Sequence, residues 1–260
     1  MFKNLKQGDY YMENIKKLVE KLEEEFDEKK QIEILQDIGA MLINNYVIKV
    51  GDLMIEPMLV EAYYYHKGKF EDESVYSAKN EETKAILYAR SRQQKNKGKL
   101  FIHYNDWGID VCLTDKSNYY LSYLIKNALV NGKWQTQSLI GKSVCQKCDK
   151  YENCKSVLEC QYNDTVVLQS RPQQNNKIIY IPRVNIKNRD QLAALSVNEF
   201  LNGKYDFTLP TGCGKQWEFS VRALFETVDE GQAKQKAEKK FGGKIEEQYW
   251  QLAKNAFRRS

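Results

Sequence analysis

The chain has 260 residues, 42% of them hydrophobic, 12% aromatic and 29% charged, with 17 Tyr but only 4 Pro and 14 Gly. That is enough apolar matter for a sizeable core, and it excludes a disordered chain, a collagen-like chain and a disulfide-stapled miniprotein. No run approaches the ~20 apolar residues of a membrane span, and the N-terminal MFKNLKQGDYY has no apolar signal core, so a soluble cytoplasmic protein is expected.

The net charge of +5 is unevenly spread. Residues 231–260 hold eight Lys/Arg against three acids, and residues 79–99 hold seven against two, so each stretch carries +5. The first 50 residues are slightly acidic. Clustered positive charge suits a polyanion, because neutralising phosphates releases counterions, although such runs also serve as solvated helix faces.

Residues 11–30 carry Ile15, Leu18, Val19, Leu22 and Phe26 at helical spacing and predict a surface helix. A second helix is predicted over 31–45, ended by Asn44–Asn45. The period then changes to that of strands. YVIKV, a Gly51–Asp52 turn and IEPMLVEAYYY predict a hairpin. Residues 81–96 read as a helix or an irregular basic segment, followed by three strand-like runs, KLFIHY, IDVCLT and YYLSYLIKNAL. Residues 143–175 are less regular. Beyond them lie a strand (KIIYIPRVNI), a short helix around 189–201, a strand or turn at KYDFTL, and a basic amphipathic helix over the last ~30 residues. A strand-dominated centre with helices around it predicts an α+β fold, a single domain with a central, mostly antiparallel curved sheet. The domain boundaries expected are an N-terminal helical extension (1–30), an α+β domain (31–209, with 143–175 as a cysteine-containing insertion) and a basic C-terminal helical extension (210–260).

Glu61 stands in MLVEAYYY among apolar and aromatic neighbours. A carboxylate there either points outward at an alternate position or is tucked into a site. Tyr63, Tyr64, Tyr65 and His66 follow it, and Phe101, His103, Tyr104 and Trp107 come forty residues on. Rings with polar edges, one acid and flanking basic segments suit an enzyme that flips a base, stacks it, plugs the duplex and activates one water. Aromatic strands of this kind also serve simply as core.

The order of segments VEAY, EDESVYS, GKLFIHY, WGIDVCLT and YLIKNAL resembles the alkyladenine (3-methyladenine) DNA glycosylase family. That family runs through an ETEAY strand, an acidic stretch ending in His-Ser, a basic segment, a G-x-LYVY…YGM…C-x-N strand pair and a strand ending LLRA. IPRVNIKNRDQL…NEFLNG is similar to the family's RxGI…lRF close. The resemblance covers roughly 31–207.

It implies base excision repair: hydrolysis of the N-glycosidic bond of an alkylated or deaminated purine in double-stranded DNA, by a monofunctional, monomeric enzyme that is nucleoid-associated in use. Glu61 is implied as the base that activates water, with Lys126 near that water in place of the family's Arg. Tyr63 is implied as one wall of the base pocket. Tyr76 stands where the family has a base-contacting His, His103 where it has a second stacking Tyr, and Thr114 where it has an Asn at the pocket floor. Trp107 matches the residue that wedges into the duplex. Arg90, Arg92, Lys95, Lys97 and Arg183 are the residues expected on the DNA backbone. Because the groups that fix base identity are replaced, the alternative is a catalytically inactive nucleic-acid-binding module on the same fold. A third reading is an unrelated α+β protein.

The reaction needs no cofactor. Cys145, Cys148, Cys154 and Cys160 form C-x2-C-x5-C-x5-C, which reads as a structural zinc site, an iron–sulfur site or ordinary thiols in a polar loop. Cys112 reads as core. TGCGK (211–215) lacks the spacing of a phosphate-binding loop, and two histidines, His66 and His103, are too few for a His-built catalytic zinc site.

Overall fold

The computed structural model describes residues 7–72, 100–102, 108–114, 119–147, 166–181, 183, 191–197 and 214–257. The class is α+β, built on a curled antiparallel sheet. The chain forms two compact units, Met1–Asn175 and Asn176–Ser260. No helix among the described residues is long and apolar enough to cross a membrane.

The first unit opens with α1 (Gln7–Glu24) and α2 (Glu28–Asn45). The helix expected over 11–30 therefore ends six residues early. The Glu25 carboxylate accepts the backbone N–H groups of Phe26 and Asp27, and the Asp27 side chain accepts from Lys30 N at 3.0 Å, starting a new helix there. Along α2, Ile34, Leu35, Ile38 and Leu42 recur at one face and are buried. Each contributes about 1.5–3 kcal/mol relative to an exposed side chain.

The strands are β1 (Tyr46–Val50), β2 (Leu53–His66), β3 (Phe70–Glu71), β4 (Leu100–Ile102), β5 (Ile109–Cys112), β6 (Tyr119–Val130), β7 (Lys133–Thr136) and β8 (Val166–Ser170), with α3 (Gln137–Cys145) after β7. Their order is β4-β5-β6-β2-β1-β8, all antiparallel, with β3 beside β2 and β7 beside β6. The expected hairpin forms through Gly51, whose φ of +58° is the left-handed turn conformation glycine tolerates best. The two longest strands, β2 and β6, are paired along nearly their whole length.

One sheet face is closed by the helices. The hydroxyls of Tyr119 and Tyr64 donate to the Val19 and Leu22 carbonyls of α1, and Tyr123 donates to the Leu35 carbonyl of α2 at 2.7 Å. Burial pushes the Tyr64 and Tyr119 phenols well above their ordinary range, and Glu23 adds to the effect. These residues alternate with those of the opposite face, which carries the site described below.

In the second unit, β9 (Ile178–Ile181) and β10 (Ala193–Ser196) pair antiparallel. The helix expected around 189–201 is thus replaced over 193–196 by a strand, because Ala193–Ser196 find a ladder partner in β9 that outweighs local propensity. Three helices follow: α4 (Gly214–Glu226), α5 (Glu230–Phe241) and α6 (Glu247–Ala256). The single C-terminal basic helix expected is two helices. Gly242, at φ +80°, caps α5, and its N–H bonds the Glu238 carbonyl. The helices enclose Ala223, Ala233, Ala237, Ile245 and Trp250.

Much of the basic charge here is paired: Lys236 with Glu226, Lys234 with Glu247 and Lys254 with Glu230. The Lys236 and Lys234 hydrogen bonds hold the Glu226 and Glu247 carboxyls below the usual carboxylate value of 4.5. A carboxyl whose folded-state value is lowered stabilises the fold above its unfolded value, and that contribution disappears as pH falls through the folded value. The double variant Glu226→Gln/Glu247→Gln is therefore expected to melt below the parent at pH 7, with the gap closing as pH falls below the usual carboxylate range and narrowing in high salt. A melting difference that stays constant across pH would contradict these bridges.

Candidate functional site

Register decides which side chains share the sheet face opposite α1 and α2. Glu61 of β2 and Asp110 of β5 are both paired with Leu124 of β6, one from each side. Tyr63 and Cys112 are likewise both paired with Ser122. With a side-chain period of two, Glu61, Tyr63, Asp110, Cys112, Ser122, Leu124 and Lys126 lie on one face.

Of the two alternatives the sequence leaves for Glu61, an outward-pointing residue or a tucked-in one, the structure takes the second. Glu61 is fully buried (0% exposed). Its Oε2 accepts a hydrogen bond from the Tyr63 hydroxyl at 3.1 Å and lies 3.9 Å from the Lys126 ammonium. Burying a charge is costly unless it is paired and hydrogen-bonded, and this carboxylate has both kinds of partner. Lys126 stands at an irregularity in the ladder. The pairing steps from Leu59–Asn127 to Val60–Ile125 and skips Lys126, next to Pro57, which has no N–H to give the ladder. Tyr63 and Lys126 are half-buried, so they form the border between Glu61 and solvent.

A second group of polar residues lies in the adjoining rows. Asp110 is 1% exposed and Ser122 fully buried. The Ser122 hydroxyl donates to Asp110 Oδ2 at a long 3.4 Å, and the hydroxyls of Tyr120 and Ser122 are 2.7 Å apart. Sequence reasoning passed over this group. The signal was present in the alternation of IDVCLT and YYLSYLIK, which puts Asp110, Tyr120 and Ser122 in phase with Lys126 once the strands are paired.

Thr114, expected at the floor of the base pocket, is buried just beyond β5. Its hydroxyl donates to the Tyr119 carbonyl at 3.0 Å and accepts the Leu121 N–H at 3.1 Å. Its one O–H proton is committed to the backbone, so Thr114 ties the β5–β6 connection and has no proton to offer a base.

Arg183, expected on the DNA backbone, is completely buried in the second unit. That placement does not suit a phosphate contact, which needs a guanidinium at the surface. Cys145 ends α3 and is half-buried, and Cys112 is buried. Among the described residues no group of three or more Cys, His, Asp or Glu could hold a metal ion. Tyr76, Arg90, Arg92, Lys95, Lys97, His103, Trp107, Cys148, Cys154 and Cys160 lie outside the described residues.

Gly108, which follows the expected wedge, is described. It has φ +103°, and a Cβ there would sit 2.6 Å from Gln137 Cγ of α3. Glycine is thus required both by the backbone conformation and by the close approach of α3 at the entry to the strand bearing Asp110.

No protein-family model matches the chain, and no curated protein matches it at a significant level.

The coupling between Glu61 and Lys126 is measurable. Lys126→Met strands a buried carboxylate and is expected to lower stability, whereas Lys126→Met/Glu61→Gln removes the charge that needed the cation. The double variant should cost less than the sum of the singles, by about 0.5–3 kcal/mol in a denaturation cycle. Strict additivity would contradict the pairing.

Proposed function

We propose that the chain is a DNA glycosylase that hydrolyses the N-glycosidic bond of a damaged purine after flipping it from the duplex. The observation that carries this reading is the buried Glu61 carboxylate, aimed by the Tyr63 hydroxyl and faced by the Lys126 ammonium. A general base must be held in one orientation, and a donor on one side with a cation on the other does that. In this reading Glu61 takes a proton from the attacking water. Lys126 keeps the carboxylate charged in a site from which bulk water is largely excluded. Tyr63 orients the carboxylate as well as bordering the place where the base would lie.

The resemblance in segment order supports the same reading, since the residues it marks as base and water-side cation, Glu61 and Lys126, are ones that pair in space. The basic stretch over 79–99 supplies charge suited to the phosphate backbone. No metal is needed for this hydrolysis. The proposed partner is therefore double-stranded DNA with a damaged base, the chemistry of base excision repair.

The test is incubation with duplexes containing 3-methyladenine, 7-methylguanine, hypoxanthine or ethenoadenine. Abasic product is expected from the parent protein. In Glu61→Gln the rate should fall by about 10²–10⁴-fold, the usual share of a general base, while DNA binding is retained. Salt-sensitive DNA binding without product from the parent would instead identify a nucleic-acid-binding module, and neither binding nor product would overturn the DNA reading altogether.

A further inference from the structure

We infer that the second unit carries a binding surface for single-stranded nucleic acid, with Phe225 and Phe257 as the rings that stack on unpaired bases and Lys177 as a phosphate contact. The inference goes beyond the glycosylase reading and does not rest on it. Charge points to this unit first. Asn176–Ser260 hold fifteen Lys/Arg against ten Asp/Glu, so this unit carries the whole of the chain's net +5 and the first unit sums to zero. A surplus gathered in one unit suits a polyanion, whose phosphates release counterions when they are neutralised.

The rings supply the second requirement. Phe225 stands in the last turn of α4, and Phe257 directly follows α6. A bridge between Ile179 and Phe257 holds the end of α6 beside β9, and Lys177 lies two residues before Ile179. The two rings are within 24° of parallel, with centroids 6.5 Å apart. The Lys177 ammonium is 5.4 Å from the Phe225 centroid and 5.0 Å from that of Phe257. Phe225 is 37% exposed, Lys177 is exposed and Phe257 is half-buried, while Val228, in the turn after α4, is fully exposed. A lone apolar residue at a surface needs no explanation. Two aligned rings beside a cation are the parts with which single strands are held, bases on the rings and phosphate on the cation.

The neighbouring charges leave a positive surplus at the rings. Glu226 follows Phe225, and its carboxylate is bonded to Lys236. Lys236 first, then Arg222 and Lys240, hold that carboxyl below its usual value, so all three cations stand near it. Arg222 is itself paired with Glu218. The two carboxylates are thus answered by Lys236 and Arg222. Lys177 and Lys240 make no ion pair among the described residues.

These features favour an unpaired strand over other occupants. A duplex keeps its base faces in its own stack and would use the lysines alone. An apolar protein surface would cover the rings but strip water from Lys177 and Lys240 without pairing them. A single strand meets both demands, and Lys177 exchanges a weak exposed contact with the rings for a phosphate.

The experiment measures binding of the full chain to a short oligothymidine and to a strand of equal length made of abasic sites, which keeps the phosphates and removes the bases. The parent is expected to prefer the oligothymidine by about tenfold or more. Phe225→Ala should weaken oligothymidine binding by about 5- to 100-fold and leave the abasic strand within about twofold. Lys177→Gln should weaken both strands and reduce the slope of log affinity against log salt by about 0.7. Phe225→Trp, which keeps a ring and serves if Phe225→Ala fails to fold, should have its added emission quenched by oligothymidine and not by the abasic strand. Equal binding of the two strands by the parent, an unchanged preference in Phe225→Ala, or an unquenched introduced tryptophan overturns the stacking surface. An unchanged salt slope in Lys177→Gln overturns the phosphate contact. Because the readout is binding and not excision, none of these outcomes decides the glycosylase reading.

Discussion

The site depends on one constraint: a carboxylate buried inside the longest strand pair of the sheet. Glu61 has no contact with solvent, so its charge must be met by protein groups. Tyr63 meets it from two residues along the same strand, and Lys126 from the neighbouring strand. Lys126 is in phase with Leu124, the residue paired with Glu61, and the β2–β6 ladder is irregular at Lys126. Bulged strands are common beside functional sites.

The two faces of that sheet divide the labour. On one, Tyr64, Tyr119 and Tyr123 send their hydroxyls into helix carbonyls of α1 and α2, so even the polar ends of this face are used to fasten helices. On the other, polar side chains meet along and across strands: Tyr63 with Glu61 along β2, Glu61 with Lys126 across to β6, Tyr120 with Ser122 along β6, and Ser122 with Asp110 across to β5. A face with two buried carboxyl groups makes a poor core. It suits placing charge and protons at fixed points, because the strands that carry these groups are rigid and their spacing is set by the ladder. Gly108 extends this control to the entry of β5, where its φ of +103° favours glycine and the Gln137 side chain of α3 takes the space of a Cβ.

Much of the architecture was legible in the residues. The apolar spacing of α2, the Gly51–Asp52 turn and the long apolar runs of β2 and β6 are strong local signals, and the elements formed where they indicated. Boundaries were less legible because they depend on caps. Asp27 and Gly242 each stop a pattern whose apolar spacing continues past them. Over Ala193–Ser196 local propensity favoured a helix, and pairing with β9 overrode it. At the site, the identity of Glu61 could be read, but its burial could not, because alternation alone leaves the face of a strand undecided. Asp110 was invisible for the same reason: only the shared partner Leu124 places it beside Glu61. Arg183, within the expected strand KIIYIPRVNI, shows the same limit, since the residue type does not tell that the side chain is buried.

The most direct measurement is a crystal structure of Glu61→Gln bound to a duplex carrying a hypoxanthine lesion. The account predicts a nucleotide turned out of the duplex over the β2–β6 face. Its C1′ should lie within the reach of a single bridging water from the side chain at position 61, with the base bordered by Tyr63. DNA bound on another surface, or on this one with the lesion still stacked in the helix and distant from position 61, would contradict it.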